Sequence, residues 1–119
     1  MITQLKENQI FIFGSNLNGA HGAGAARQAH DDFGAEYGVG EGVTGQSYAF
    51  PTLNKNMQKV PTEALEASRD KLFAFAQANP QLEFLLTKVG CGLAGFPEEE
   101  MESLFDVVPE NIIKPKEWR

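Results

Sequence analysis

Residues 9–32, QIFIFGSNLNGAHGAGAARQAHDD, constrain this chain more than any other stretch. Ile10, Phe11, Ile12 and Phe13 form a continuous apolar run, too short for a lone helix and rich in β-formers. Such a run reads as a strand over residues 9–13, buried on both faces. Gly14-Ser15-Asn16 stops it. Gly19, Gly22 and Gly24 follow, and AARQAHDDF then reads as a helix from about residue 23 to 33. A buried strand, a glycine-rich turn and a helix start together make a place for an anion. Backbone N–H groups point out of the helix start, its dipole favours negative charge, and glycines let a ligand approach the main chain.

The same arrangement recurs downstream. LEFLLTKV (residues 82–89) reads as a largely apolar, central and fully buried strand, GCGLAGF as a second glycine loop, and PEEE as a helix start with Pro97 in its first turn and acid where the dipole favours it. Between the two units, residues 34–46 (GAEYGVGEGVTGQ) hold five glycines and read as a long irregular loop, a kind that is often functional. Residues 47–50 read as a short strand stopped by Pro51. Pro61 opens the longest helical pattern, with Leu65, Leu72, Phe73 and Ala76 on one face, ended by Asn79-Pro80. Residues 1–8 are a polar lead-in that could form a short edge strand, residues 111–114 a last strand, and PKEWR a tail. Strands alternate with helices, so the class is α/β with a mainly parallel sheet and helices on both faces. Loops that leave strands in such a sheet gather at their carboxyl ends, so two glycine loops there make one cleft.

At 119 residues the chain is one domain, and its net charge of -6 argues against wrapping a nucleic-acid backbone, which needs clustered Lys and Arg. A nucleotide-sized anion is not excluded, because backbone amides bind phosphate without a basic surface. One cysteine, Cys91, rules out an intrachain disulfide framework and fits a reducing compartment. With a polar start and no apolar run of membrane-spanning length, the expectation is a soluble cytoplasmic protein without membrane contact.

The dinucleotide fingerprint G-x-G-x-x-G is not met, because Gly22-Ala23-Gly24 is followed by Ala25-Ala26-Arg27, and the P-loop lysine is also missing. A lone glycine turn is more often structural, whereas two at equivalent strand ends favour a phosphate cleft. His21 in the first loop and His30 on the helix are each a possible ligand or base. Neither Cys-x-x-Cys nor His-x-x-x-His occurs, so no metal site is expected. Cys91 could be a nucleophile, though a small buried residue that lets a loop turn is the commoner case. Phe73, Phe75 and Phe84 read as core, and Phe96 as a ring that could cover a sugar or base.

Three segments, in order, carry a family resemblance. FGSNLNGAHGAGAA resembles the N-A-A-N…G-G-G-V stretch of macro domains, the ADP-ribose-binding α/β/α fold, and VTGQSYAFPT resembles their t-G-e-a segment. LLTKVGCGLAGFPEEE resembles their second phosphate loop, nearest the I-G-C-G-L form of the branch that removes ADP-ribose from acidic side chains. The resemblance implies one macro-like domain over residues 1–119, a three-layer α/β/α sandwich around a small, mainly parallel mixed sheet. It implies that Asn16 holds the sugar distal to the diphosphate, that Gly22, Ala23, Gly24 and Ala25 form the first phosphate loop, and that Gly92, Leu93, Ala94, Gly95 and Phe96 form the second. Ser15, Gly45, Gly90 and Cys91 complete the implied ligand site. The departures are specific too. The strand and G-D-I motif whose Asp reads the adenine amine would fall at about Met1. Ala94 stands where one branch has a catalytic Asp and another an aromatic, Ala26 where some members have an acid, and Thr52 near the adduct-forming lysine, with Lys55 the nearest candidate.

The expectation is therefore binding, with hydrolysis as an open extension, of ADP-ribose or a related nucleotide diphosphate, free or on an ADP-ribosylated macromolecule, and with no cofactor. In a hydrolase, Asn16 or His21 would position the water. The alternatives are an enzyme on another phosphorylated nucleotide or sugar that uses His21 or Cys91, and a non-enzymatic interaction protein on the same scaffold.

Overall fold

The strand that opens the chain pattern is the middle of the sheet. In the computed structural model, which describes residues 2–119, β1 (Gln9–Asn16) lies between β3 (Ser47–Leu53) and β4 (Glu83–Leu86) and is parallel to both. β2 (Gly42–Thr44) runs antiparallel on the outer edge of β3, and β5 (Ile112–Ile113) is parallel to β4, so the sheet order is β2-β3-β1-β4-β5. Side chains on a strand alternate between its faces. Phe11 and Phe13 of β1 pack with Ala49 against Ala26, Ala29 and Phe33 of α1 (Gly24–Phe33). Ile10 and Ile12 join Tyr48, Phe50, Phe84 and Leu86 on the opposite face, under α2 (Thr62–Ala78) and α3 (Glu98–Leu104). The result is a three-layer α/β sandwich with a mostly parallel mixed sheet.

Helix α1 is a close fit to the sheet because alanines form its inner face, and Ala29 is fully buried. Leu65, Leu72 and Ala76 bury the stripe of α2, whereas Phe73 is only half-buried at its margin. That alternation of helix and sheet brings the carboxyl ends of β1, β3 and β4 to one edge. The described residues contain no helix long and apolar enough to cross a membrane.

Several local expectations give way to tertiary pairing. The glycine-rich stretch 34–46 contains β2, recruited by the open edge of β3. Pro51 does not stop β3, which runs on to Leu53. Pairing with β2 ends at Ala49, so the missing proline N–H breaks no ladder bond on that side. The strand expected over 82–89 is the four-residue β4 alone, internal rather than central, and within β4 only Phe84 and Leu86 are buried. Its other face, Glu83 and Leu85, is half-buried because α1 covers the β1–β3 side of the sheet and does not reach β4. The lead-in forms no strand among the described residues; Ile2 and Leu5 pack on the α1-side cluster, and Met1 lies outside them. The tail is a 3-10 turn (Lys116–Trp118) whose Trp118 is buried, stacked on Phe105 with its indole N–H donating to Glu98.

Candidate functional site

Because β1 and β4 are parallel neighbours, the two glycine loops that leave them emerge side by side. The backbones touch at Gly14, where a Cβ would come within 3.0 Å of the Gly90 amide nitrogen. Above this contact opens a cavity of about 380 Å³, at the small end of the range for ligand sites. Its floor is Gly14, Ser15 and Gly90. One wall is the start of α1 (Gly22, Ala23, Gly24, Ala25 and Ala26) and another the second loop (Gly92, Leu93 and Ala94). Thr52, Leu53 and Met57 contribute from the carboxyl end of β3 and beyond.

The walls are rich in unspent donors. No side chain caps α1, whose N-cap residue is Ala23, and the N–H groups of Gly24, Ala25 and Ala26 find no acceptor among the described residues. A helix start leaves such groups by construction, and Ser, Thr, Asp or Asn at the cap is the usual remedy. On the second loop, Gly95 donates back to the Gly92 carbonyl (3.0 Å) and Phe96 to the Gly90 carbonyl (2.8 Å), which turns the chain. The N–H groups of Gly92, Leu93 and Ala94, at the apex of that turn, have no acceptor among the described residues.

The polar side chains of the cleft are, by contrast, engaged. Asn16 closes the first loop on itself: its Nδ2 donates to the Ala20 carbonyl (3.0 Å) and its Oδ1 accepts from the Ala20 N–H (3.1 Å). Ser15 Oγ donates to the Gly40 carbonyl, Thr52 Oγ1 to the Ser15 carbonyl (3.3 Å) and Thr87 Oγ1 to the Ile12 carbonyl (2.7 Å). Lys88, the one charged residue of the lining, is 3.0 Å from both Glu98 and Glu117. Those carboxylates hold the Lys88 ammonium above its ordinary value, Glu98 foremost, and Lys88 in turn holds both carboxyls below theirs. Much of the positive potential available to an anion thus comes from the main chain, which suits a protein of net charge -6.

Of the residues singled out in the sequence, Ser15, Asn16, Gly22, Ala23, Gly24, Ala25, Gly90, Gly92, Leu93 and Ala94 are brought together in this cleft. The others are not. His21 is fully buried and turns away from the cleft, its ring between Phe13 and Tyr37. Its Nε2 donates to the Glu36 carbonyl (2.9 Å), since a carbonyl only accepts, and its Nδ1 is buried without a partner among the described residues. It braces the loop against the 34–41 segment and reaches no ligand position. Cys91 packs half-buried against the α2/α3-side core, and burial, then the nearby Glu98, pushes its thiol above the ordinary value, the opposite of an activated nucleophile. Phe96 is buried in that core, with Lys59 Nζ 5.1 Å above its ring and donating to the Gly95 carbonyl (3.0 Å), so neither Phe96 nor Gly95 lines the cavity. Gly45 forms the β2–β3 turn at the opposite end of the sheet, packed on Gly34. Lys55 is exposed and outside the lining.

The lining also includes Leu53, Met57, Thr87 and Lys88, which the sequence reading did not place in the site, and Thr52, which it noted only near the lysine position of the resemblance. Thr52 and Leu53 end a strand parallel to β1, and a pairing of β1 with β3 would have pointed to them. Among the described residues no three His, Cys, Asp or Glu side chains cluster to hold a metal ion. Comparison with protein-family models, with curated proteins and with solved structures finds no match.

Proposed function

We propose that the cleft binds the diphosphate of a nucleotide such as ADP-ribose, and that the chain is a macro-like binding module. The observation that carries the reading is the pair of unspent donor sets, at the start of α1 and at the apex of the second loop, on the walls of one cavity. A diphosphate presents oxygens in two directions, and backbone N–H groups on two walls meet both. The resemblance of these same two loops to the macro phosphate loops supports the identity of the ligand class. The engaged state of Asn16, Ser15, Thr52, Thr87 and Lys88 favours binding over turnover, because each polar lining side chain already holds a protein partner. A lone cysteine suits the reducing cytoplasm, where free or macromolecule-linked ADP-ribose would be the partner.

A thermal-shift panel of ADP-ribose, ADP and inorganic phosphate tests this. A ligand that binds only the folded state stabilises it by about 2.7 kcal/mol at 100 times its dissociation constant. ADP-ribose is expected to raise the melting temperature most. No shift with any of the three at millimolar concentration would reject the reading and leave the loops as scaffold.

A further inference from the structure

The rim of the cleft carries two apolar side chains that diphosphate binding leaves unused. Met57 is 53% exposed and Leu93 85% exposed, and both line the cavity. A single exposed apolar residue is ordinary. Met57 is not ordinary, because its φ is 60°, the one positive value at a non-glycine position among the described residues. Glycine or asparagine adopts that region with little strain, whereas a longer side chain is disfavoured there. The surrounding turn imposes it. Asn54 Oδ1 accepts from the N–H groups of Asn56 (2.8 Å) and Gln58 (3.0 Å), and the Met57 N–H donates to the Asn54 carbonyl (3.0 Å). Asn18 of the first glycine loop donates to the Lys55 carbonyl (2.8 Å) and lies 3.9 Å from Met57 Sδ, tying this turn to the cleft. A strained methionine whose side chain contributes nothing to the core is thus held at the mouth of the cavity. Strain retained in this way clusters at ligand clamps.

Building on the proposed diphosphate site, we propose that Met57 and Leu93 clamp the planar base of the bound nucleotide. A thioether is flexible and polarisable and packs well on aromatic rings, and Leu93 adds an aliphatic surface from the second loop. Neither side chain offers a conventional donor or acceptor to the ring edge. The clamp therefore selects a flat ring over no ring and does not separate adenine from guanine. The ligand class becomes nucleoside diphosphates and their sugar conjugates, held by the phosphates and the ring face together.

Calorimetric titration with ADP, GDP and ribose 5-diphosphate, which keeps the sugar and phosphates without a base, tests the clamp. The parent should bind ADP and GDP at least about tenfold tighter than ribose 5-diphosphate, and within about threefold of each other. Met57→Gly relieves the backbone strain, so its melting temperature should hold or rise while ADP and GDP lose about tenfold in affinity and ribose 5-diphosphate loses none. Leu93→Ala removes the exposed side chain, keeps the loop N–H and adds no new donor, and it should lower ADP and GDP affinity at unchanged stability. The clamp is overturned if the base adds no affinity, if either variant binds ADP like the parent, or if ribose 5-diphosphate weakens equally. Binding of ribose 5-diphosphate without a gain from the base rejects the clamp alone. Failure of the parent to bind any of the three rejects the diphosphate site and the clamp with it.

Discussion

The sharpest test of the glycine loops lies at Gly22 and Gly92. Both line the cleft, neither has a positive φ, and a Cβ built on either meets nothing within 4 Å. Gly24 and Gly95 are poorer choices because their φ values are 60° and 76°, so a side chain there is strained whether or not a ligand exists. Replacing glycine by alanine at a compatible position reduces the entropy of the unfolded chain and stabilises by about 0.4–1 kcal/mol. For a chain of 119 residues that is a rise in melting temperature of up to about 4 °C. Gly24→Ala should instead lose roughly 1–2 kcal/mol to the left-handed backbone. Binding should move the other way at the first pair. A Cβ at Gly22 or Gly92 meets only open space, which on the proposed reading phosphate oxygens would enter to reach the amides. Gly22→Val and Gly92→Val should therefore each weaken ADP-ribose at least about tenfold, or 1.4 kcal/mol. Calorimetric titration beside thermal melting reads both quantities on one sample. If both valine variants melt and bind like the parent, the open space at these glycines is not a ligand site and the phosphate reasoning fails.

Phe84 is fully buried, with its ring edge against Phe75, and Phe84→Ala should cost about 3–5 kcal/mol in urea unfolding through lost transfer energy and a cavity. A loss below about 1 kcal/mol would show that β4 is not packed as described. The Lys88 cluster predicts a pH dependence. Glu98 and Glu117 lie below their ordinary value of 4.5 in the fold, so the stability they contribute is complete above that value and is lost as pH falls through their lowered folded values. Lys88 lies above 10.5, so its contribution is complete below that pH and is lost as pH rises through the raised value. Lys88→Met should flatten the urea midpoint against pH at both ends, and an unchanged acid limb would show that these ion pairs contribute nothing measurable.

Local chemistry was enough to write the two strand–loop–helix units. The run Ile10–Phe13 favours a doubly buried strand, glycines end it, and an alanine-rich segment without bulk forms the helix that packs on one face of the sheet. Each of these preferences acts within a few residues, so they are legible in order along the chain. Alternation of such units also implied that the loops would share one edge of a parallel sheet. What the pattern did not contain was side-chain direction in the loops, because a loop has no period to reveal which residues face inward. His21, Cys91 and Phe96 sit among cleft residues in the chain, yet their side chains are committed to packing by partners such as Phe13, Tyr37 and the α2/α3-side core. Long-range pairing settled the rest. The open edge of β3 recruited β2 from an apparently irregular stretch and left Pro51 beyond its ladder, while the core formed by Phe105 and its neighbours drew in Trp118 from an apparent tail. Met57 belongs to the same class. Its backbone conformation is imposed by the hydrogen bonds of Asn54 within the turn and its place at the cleft by Asn18 in a loop far away in the chain, and such a combination exists only once the chain has folded.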